Sequence, residues 1–275
     1  MSQLLPSPSW CVLVVSSLLA GSSDVPRCVA VVALPGFQVT PSRAAGSDSS
    51  IRVTWLGHAA FEVISPGGTR ILIDPWLIDN PYTPDAFKDT TLWARPEDRP
   101  SALLVSHSHG DHARDVPMLV RVTGARVVGT GELLRALAIP GPQQLIVNVG
   151  NSERIGDVTV HAVPAMHSSD PGGRPLGFVL TFSDGRSLYH TGDTWVFGDM
   201  ALIEHFYHPT ILLWNVGNGP SEAAYGIKRY FHAKVVVPMH YGTKVGPFAT
   251  EDEVRAAFRG NSRLRILTPG QTVTF

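Results

Sequence analysis

The segment HSHGDH at residues 107–112 places three histidines and one aspartate within six positions, and no other stretch constrains this chain as strongly. While the chain is extended, the first two histidines project to one side, and Gly110 lets the backbone turn so that Asp111 and His112 approach from a second direction. Three imidazoles and a carboxylate packed this closely would make a poor hydrophobic core. Because divalent metals accept such a mixed set of nitrogen and oxygen ligands, the segment predicts a metal-binding loop, with a polar surface loop as the alternative.

The segments on either side place this loop between a strand and a helix. Residues 102–105 form an apolar run that is typical of a buried strand. Residues 115–117 have the chemistry of a helix start, with Asp115 as the expected N-cap and Pro117 in the first turn. The loop is therefore expected at the end of a strand, where binding side chains gather in sheet-based folds.

Cysteine usage and charge narrow the chemistry further. Both cysteines, Cys11 and Cys28, lie near the N-terminus, so a metal in the rest of the chain must be held by histidine and carboxylate. This excludes zinc fingers, iron–sulfur clusters and cysteine hydrolases for that part of the chain. With a net charge of -1 and 16% charged residues, the chain has no basic field that would suggest nucleic acid or an anionic membrane as a partner.

The chain divides by composition into two parts. Residues 1–50 are expected to form a leader or linker, either a signal peptide or a disordered segment, and non-native upstream sequence is the alternative. The apolar runs at residues 10–20 and 28–34 are shorter than the roughly 20 residues that span a bilayer, so we expect no stable membrane insertion. No lysine or arginine precedes the first run, which leaves both a cytoplasmic and an exported protein open. Residues 51–275 are expected to form the folded domain.

From residue 51 onward, short apolar runs alternate with turns and with helical patterns. The expected strands are residues 51–55, 60–64, 70–73, 102–105, 126–128, 145–148, 158–163, 177–182, 187–190, 211–214 and 235–237, and the chain closes on two further apolar runs at 265–267 and 272–275. Helices are expected to end near residue 123 and to cover residues 132–137, 202–206, 223–231 and 251–258. Residues 75–100, which contain Trp76 and Trp93, read as a long loop that walls a substrate pocket, with surface padding as the alternative.

Four more candidate site residues directly follow strand-like runs, namely Asp74, His167, Asp193 and His240. Strand ends project side chains into a common crevice, so these groups are expected to join the loop at residues 107–112. Without Asp74, these candidates and the loop supply seven histidine and aspartate groups, which are enough to hold two adjacent metals. Two divalent ions about 3.5–4 Å apart lower the pKa of a shared water toward neutrality and supply a hydroxide nucleophile.

These motifs resemble those of the metallo-β-lactamase superfamily. The segment HSHGDH matches its HxHxDH signature, and the four strand-end residues stand in the order of its other site positions. The segments TWLGHAAF at 54–61, LIDP at 72–75, YHTGDT at 189–194 and PMHY at 238–241 are similar to a narrower branch. That branch comprises uncharacterised metal-dependent hydrolases related to ascorbate-6-phosphate lactonase and, more distantly, to a phospholipase D that cleaves N-acyl phosphatidylethanolamines. The resemblance covers about residues 51–275.

The resemblance implies an α/β fold, a four-layer αββα metallo-β-lactamase-like sandwich with a dinuclear site at one edge between the sheets. It also implies that one ion takes His107, His109 and His167, that the other takes Asp111, His112 and His240, and that Asp193 bridges them. Two divalent ions are expected as cofactors, with zinc first and manganese or iron as alternatives. One segment departs from the family pattern, NVGNGPS at residues 215–221, where a different glycine-rich loop would be expected to touch substrate.

The remaining candidates have two interpretations each. Asp111 is expected to orient or deprotonate the water, and His58 is either a catalytic proton carrier and substrate contact or a structural hydrogen-bond partner. Asp74 and His190 are expected to hold ligands in orientation or to touch substrate. Tyr241 either donates to an oxyanion or packs, and Asn215 and Asn218 are weaker candidates of the same kind. The histidines expected to be ordinary surface or core residues are His161, His205, His208 and His232.

The sequence therefore predicts a metal-dependent hydrolase that acts on a small-molecule lactone, phosphodiester or related ester or amide, with β-lactams the least favoured. A non-catalytic metal-binding or regulatory module and a di-iron redox protein are the alternatives. The complete ligand set argues against the first of these, and the absence of a flavin-like segment argues against the second. Homo-oligomerisation stays open.

Overall fold

The structure is a computed structural model that describes residues 49–243, 245 and 249–275. The predicted leader at residues 1–50 lies outside the described residues except for its last two positions, and the boundary between leader and domain stays a prediction. Among the described residues, no helix combines the length and the apolar character needed to span a bilayer.

Within the described residues, thirteen strands form two sheets. In chain order they are β1 (Arg52–Gly57), β2 (Ala60–Ile64), β3 (Arg70–Ile73), β4 (Ala102–Leu104), β5 (Arg126–Gly129), β6 (Gln144–Ile146), β7 (Ser152–Ile155), β8 (Val158–Pro164), β9 (Leu176–Phe182), β10 (Ser187–His190), β11 (Ile211–Asn215), β12 (Val235–Met239) and β13 (Thr272–Thr274). The first sheet has the order β13-β1-β2-β3-β4-β5-β6 and the second the order β12-β11-β10-β9-β8-β7. Strands β2 and β3 pair antiparallel as a hairpin, and so do β9 and β10.

In the part of the chain that the structure describes, eight α-helices connect these strands. They are α1 (Asp85–Lys88), α2 (Thr90–Ala94), α3 (Gly110–Ala113), α4 (Val116–Thr123), α5 (Gly131–Ala136), α6 (Met200–Tyr207), α7 (Pro220–Tyr230) and α8 (Glu251–Ala257). Helix α4 ends as predicted, because Gly124 adopts the left-handed conformation that closes a helix. The region at residues 75–100 is not a loop throughout, since α1 and α2 lie within it and Trp76 and Trp93 are buried.

The alternation of side chains in the first sheet separates two apolar cores. Leu104 packs in the core that both sheets share, whereas the neighbouring Leu103 points to the other face, where it packs with Trp93, Leu119 and Leu134 from the helical layer. Helices α6 and α7 contribute apolar side chains to the core around the second sheet. The predicted four-layer αββα sandwich is therefore confirmed, and both sheets are hydrophobic on both faces because helices cover them.

The direction of the strands decides where the polar side chains meet. Strands β3 and β4 are parallel, and β1 runs parallel to β3 because each pairs antiparallel with β2. In the second sheet, β10, β11 and β12 are parallel, and β8 has the same direction because β9 pairs antiparallel with both β8 and β10. Within each sheet, the carboxyl ends of these strands therefore point to one edge, where the predicted site residues follow them.

Several local details differ from a simple reading of the sequence. Asp115 takes the predicted N-cap position of α4, with Pro117 in the first turn, but its carboxylate accepts hydrogen bonds from the amides of Leu77 and Ile78 rather than from the helix. The predicted turn at Gly110 is the start of the short helix α3. Strand β7 was not predicted, because its sequence SERI is an edge strand with little apolar alternation. Residues 265–267 form no strand, since only the neighbouring Leu264 makes an isolated bridge, to Val236.

Candidate metal centre

Three imidazoles form what we call the first cation group: His107, His109 and His167. The Nε2 atom of His107 lies 3.0 Å from Nδ1 of His109, and the Nε2 atom of His167 lies 3.2 Å from the same Nδ1. Bonds of 2.0–2.1 Å at tetrahedral angles would place zinc-bound nitrogens roughly 3.3 Å apart. The spacing of the three imidazoles therefore suits a shared cation.

The second cation group consists of Asp111, His112 and His240. The Oδ2 atom of Asp111 lies 3.8 Å from Nε2 of His112 and 3.7 Å from Nε2 of His240. Asp111 and His112 follow β4 of the first sheet, whereas His240 follows β12 of the second. This group therefore exists only when the two sheets are packed together.

The carboxylate of Asp193 lies between the two groups. Its Oδ2 atom is 3.1 Å from Nε2 of His112 and 3.0 Å from Nε2 of His240. The same oxygen is 4.0 Å from Nε2 of His107 and 3.8 Å from Nε2 of His167. One oxygen atom is thus within reach of imidazoles from both groups, which is the position that a bridging ligand requires.

Several buried polar atoms of this centre have no hydrogen-bond partner among the described residues. They are Nε2 of His112, Oδ1 of Asp193 and both ring nitrogens of His240. Leaving such groups buried and unpaired costs about 1–3 kcal/mol each. A cation would accept these nitrogen and carboxylate oxygen atoms as ligands, so the residues present fit divalent metal ions.

Electrostatics point the same way. Burial alone would lower the pKa of His240, but the neighbouring carboxylates of Asp193 and Asp111 outweigh burial and raise it to about 9. Burial would raise the pKa of Asp193, but His112 and His240 outweigh burial and lower it well below its usual range. The carboxylates of Asp193 and Asp111 therefore create a field that favours positive charge at the centre.

A hydrogen-bond chain behind the centre orients one imidazole of each group. Asp74 is fully buried, and its Oδ2 atom accepts hydrogen bonds from Nδ1 of His112 at 2.8 Å and from the Ser106 hydroxyl at 2.6 Å. The same hydroxyl lies 2.9 Å from Nδ1 of His107. Because both Nδ1 atoms are engaged, the Nε2 atoms of His107 and His112 face the centre, as expected for a carboxylate that orients metal ligands.

The other predicted residues take supporting positions. His190 is buried, donates from Nε2 to the carbonyl of Ala59 and accepts from the amide of Gly192, so it braces the turn that carries Asp193. The side-chain oxygen of Asn215 accepts from the amide of Gly217 and shapes its own loop.

Asn218 and Tyr241 likewise act locally. Asn218 donates to the backbone carbonyl of Asp193 at 2.9 Å. Tyr241 stacks on Trp55 and directs its hydroxyl to the carbonyl of Leu267, so the packing interpretation of this residue is the one that the structure favours.

His58 is buried at the turn between β1 and β2. Its Nε2 atom lies 2.9 Å from Oδ2 of Asp111, and its Nδ1 atom lies 3.0 Å from the hydroxyl of Thr243. Burial lowers the pKa of His58 to about 4, although the hydrogen bond with Asp111 opposes this. The ring is therefore neutral near pH 7 and hydrogen-bonded at both nitrogens.

Backbone strain concentrates at this centre. His58, Asp74 and His240 adopt left-handed φ values of 57°, 46° and 63°, and each directly follows a strand. Left-handed backbone at a non-glycine residue costs on the order of 1–3 kcal/mol and persists only where the surroundings impose it. The strain is consistent with a functional constraint at all three positions.

The centre opens on one side. His109, Asp111 and His167 are partly exposed, whereas His107, His112 and His240 are buried. Trp76 from the region at residues 75–100 packs its ring edge against His58, with 5.5 Å between ring centroids. Tyr82 from the same region lines a cavity of about 170 Å³ together with His58. This region therefore contributes to the walls around the site.

Sequence reasoning missed Ser106 and Thr243. Ser106 stands directly before the histidine segment, so its position beside His107 was a local signal that could have found it. Thr243 had no such signal, because it lies 185 positions from its partner His58 and meets that residue only through tertiary packing.

Comparison with known proteins identifies the family. A family model described as a beta-lactamase superfamily domain matches residues 52–240. The chain is 39% identical over 251 residues to a UPF0173 metal-dependent hydrolase of Myxococcus xanthus (strain DK1622), which covers 85% of this chain and 86% of that protein.

Solved structures show the same fold. Igni18, a metallo hydrolase from the archaeon Ignicoccus hospitalis, superposes with a TM-score of 0.69 at 30% identity and covers 82% of this chain and 98% of that one. CmlA, a diiron beta-hydroxylase from Streptomyces venezuelae, shares the fold with a TM-score of 0.59 at 16% identity, over 82% of this chain and 54% of that one. The chain therefore belongs to the metallo-β-lactamase superfamily, as a metal-dependent hydrolase related to the UPF0173 proteins.

Proposed function

We propose that this metal-dependent hydrolase uses two divalent ions to cleave a small lactone, phosphodiester or related ester or amide. The observation that carries the proposal is the position of Asp193, because a single carboxylate oxygen lies within 3.0–4.0 Å of imidazoles from both cation groups. A site for one ion would need only one of these groups.

The ligand assignment follows the two groups. His107, His109 and His167 would hold one ion, Asp111, His112 and His240 would hold the other, and Asp193 would contact both. Zinc suits this set, which is rich in imidazole and has no thiolate, and manganese and iron are the alternatives. When bound, such a pair of ions lowers the pKa of a water molecule and polarises the oxygen of the scissile group.

The protein side chains supply orientation and proton handling. Asp111 is 15% exposed at the open side, and its Oδ2 atom is held by His58, so its position is fixed while the carboxylate can orient a water molecule or accept its proton. Asp74 and Ser106 keep the Nε2 atoms of His107 and His112 directed inward. Buried Trp76 packs beside His58, which keeps bulk water away from the inner side of the centre.

Hydrolysis is favoured over the two alternatives by the relatives. The UPF0173 protein that is 39% identical to this chain over 251 residues is named as a metal-dependent hydrolase. The complete set of seven candidate ligands argues against a non-catalytic module. The fold alone does not decide between hydrolysis and redox chemistry, because folds host many reactions, so metal analysis is part of the test.

The test combines elemental analysis of natively purified protein with a screen against lactone, phosphodiester and β-lactam panels. We expect about two divalent ions per chain, turnover of a lactone or phosphodiester, and loss of turnover together with the ion of the first cation group in His107→Ala. One ion per chain would contradict the two-ion proposal. Stoichiometric iron without hydrolysis of any panel member would favour redox chemistry.

A further inference from the structure

His58 stands between the two halves of the second cation group. Its side chain contacts Asp111, which follows β4 of the first sheet, and Thr243, which follows β12 of the second. Its backbone carbonyl accepts a hydrogen bond from the amide of His240 at 3.1 Å. One residue is therefore bonded to both protein segments that supply the second cation group.

The hydrogen bonds leave His58 no free nitrogen. An ionised carboxylate only accepts hydrogen bonds, so Nε2 carries the proton and donates it to Asp111. Nδ1 then accepts from the hydroxyl of Thr243, which is 2% exposed. Although the Nε2 atom is close enough to join Asp111, His112 and His240 around an ion, both ring nitrogens are already engaged.

The backbone of His58 is fixed independently of its side chain. The indole nitrogen of Trp55 donates to the His58 carbonyl at 2.9 Å, and that carbonyl also receives the amide of His240. These two bonds hold the left-handed turn at which φ is 57°. The main chain of His58 thus fixes the orientation of its imidazole, and the imidazole fixes the orientation of the Asp111 carboxylate.

We propose that His58 is a positioning residue that sets the affinity of the second cation group by holding Asp111 in register with His240. The inference rests on the proposed two-ion function and assigns the Thr243–His58–Asp111 chain to one of the two ions. The first cation group is outside this chain, because among the described residues neither His58 nor Thr243 forms a hydrogen bond or ion pair with His107, His109 or His167.

The test is titration of metal-stripped, full-length protein with Co²⁺, followed by visible absorption and by elemental analysis after dialysis. His58→Asn is the informative variant, because asparagine tolerates left-handed backbone but is too short to hold Asp111. We call the ion of the second cation group the second equivalent, whichever ion binds first. We expect its affinity to fall about 10–100-fold, as is typical when a residue that orients a ligand is lost. The first equivalent should be unchanged.

Two further variants separate positioning from direct ligation. Thr243→Val removes the hydroxyl at nearly constant volume and should weaken the second equivalent about fivefold, the effect of one hydrogen bond. Thr243→Ser keeps the hydroxyl and should bind both equivalents as the unmodified protein does. His208→Asn is the matched control, because His208 also has left-handed backbone but lies exposed at the end of α6.

The outcomes distinguish the two proposals. Two equivalents of unchanged affinity in His58→Asn would overturn the positioning role and leave the two-ion function standing. Complete loss of the second ion in His58→Asn, with Thr243→Val unaffected, would make His58 a ligand and also overturn the positioning role. A single equivalent in the unmodified protein would contradict the two-ion function and this inference with it.

Discussion

Carboxylates at the two ends of this sandwich differ in how their oxygens are hydrogen-bonded. At one end, Asp193 and its neighbours are buried with polar atoms that have no hydrogen-bond partner among the described residues. The turn between β2 and β3 lies at the other end, because β2 runs away from His58. There, Asp157 accepts hydrogen bonds from the hydroxyls of Ser65 and Thr69 and from the amide of Gly67.

The difference separates a carboxylate that holds the fold from one prepared for a ligand. Asp157 joins a turn of the first sheet to the turn between β7 and β8 of the second, and the protein itself satisfies its oxygens. Asp193 joins the same two sheets at the opposite end, but it does so through imidazoles that need a cation between them. Both carboxylates connect the sheets, but only the oxygens of Asp157 are satisfied by hydrogen bonds from the described residues.

The largest effect on metal binding is expected from replacing Asp193, which lies between the two cation groups. Asp193→Ala should weaken both ions more than about 100-fold, beyond the loss typical of residues that only orient ligands, because its oxygen contacts imidazoles of both cation groups. Turnover should disappear with the metal. Equilibrium dialysis followed by elemental analysis measures the change, and Asp157→Ala serves as the matched control with unchanged metal content. Retention of both ions by Asp193→Ala would break the comparison.

A smaller effect on metal binding is expected from replacing Asp74, which hydrogen-bonds to the candidate ligand His112. Asp74→Asn keeps the side-chain volume but replaces one accepting oxygen with a donor. Either His112 Nδ1 and the Ser106 hydroxyl together lose their shared acceptor, or the amide of Ser106 loses its own. Metal affinity should fall about 10–100-fold, and Ser106→Ala should have a weaker effect of the same kind. Competition with a chromophoric chelator measures both affinities. If Asp74→Asn binds metal normally, orientation by this carboxylate is not needed.

The smallest effect is expected for Asp157→Ala, at the end of the sandwich opposite the metal centre. It should appear in the free energy of unfolding rather than in metal binding. Asp157→Ala should lower the free energy of unfolding by roughly 1–2 kcal/mol, less than fully buried bonds would give because the carboxylate is only partly buried. Urea denaturation of the metal-stripped protein at neutral pH measures it. An accompanying loss of metal would show that the two ends are not independent.

The pH dependence of that stability sharpens the same test. Burial would raise the pKa of Asp157, but hydrogen bonds from Ser65, Thr69 and Gly67 outweigh burial and lower it. A lowered folded-state pKa means that the stabilisation is fully present above the unfolded value of about 3.9 and is lost as pH falls below it. The difference between the unmodified protein and Asp157→Ala should therefore shrink as pH falls below about 4.

The candidate metal ligands were easier to predict from the sequence than the residues that orient them. Histidines and aspartates that directly follow apolar runs could be found from local pattern alone, since strand ends share an edge of the sheet. The partner of His58 could not be found in this way, because Thr243 reaches it only through the packing of the two sheets. The N-cap position of Asp115 was predicted because a helix start is a local signal, whereas its hydrogen bonds with the amides of Leu77 and Ile78 are tertiary and could not be predicted.

The fold shows the same division. Strands with apolar alternation were predicted, whereas β7 was missed because an edge strand carries few core residues. The region at residues 75–100 lacks periodicity, so its two short helices could not be read from pattern, and burial of Trp93 against the first sheet is what orders it.

The pairing of β1 with β13 has a consequence for how the protein is made. Thr54 faces Thr272 across this pair, with their hydroxyl oxygens 2.8 Å apart and 218 positions between them in the chain. During translation, β1 leaves the ribosome long before its neighbour exists, and its unpaired edge is open to other nascent chains. Because Thr272 follows every candidate metal ligand in the chain, all of those ligands are synthesised before this edge of the first sheet can be completed.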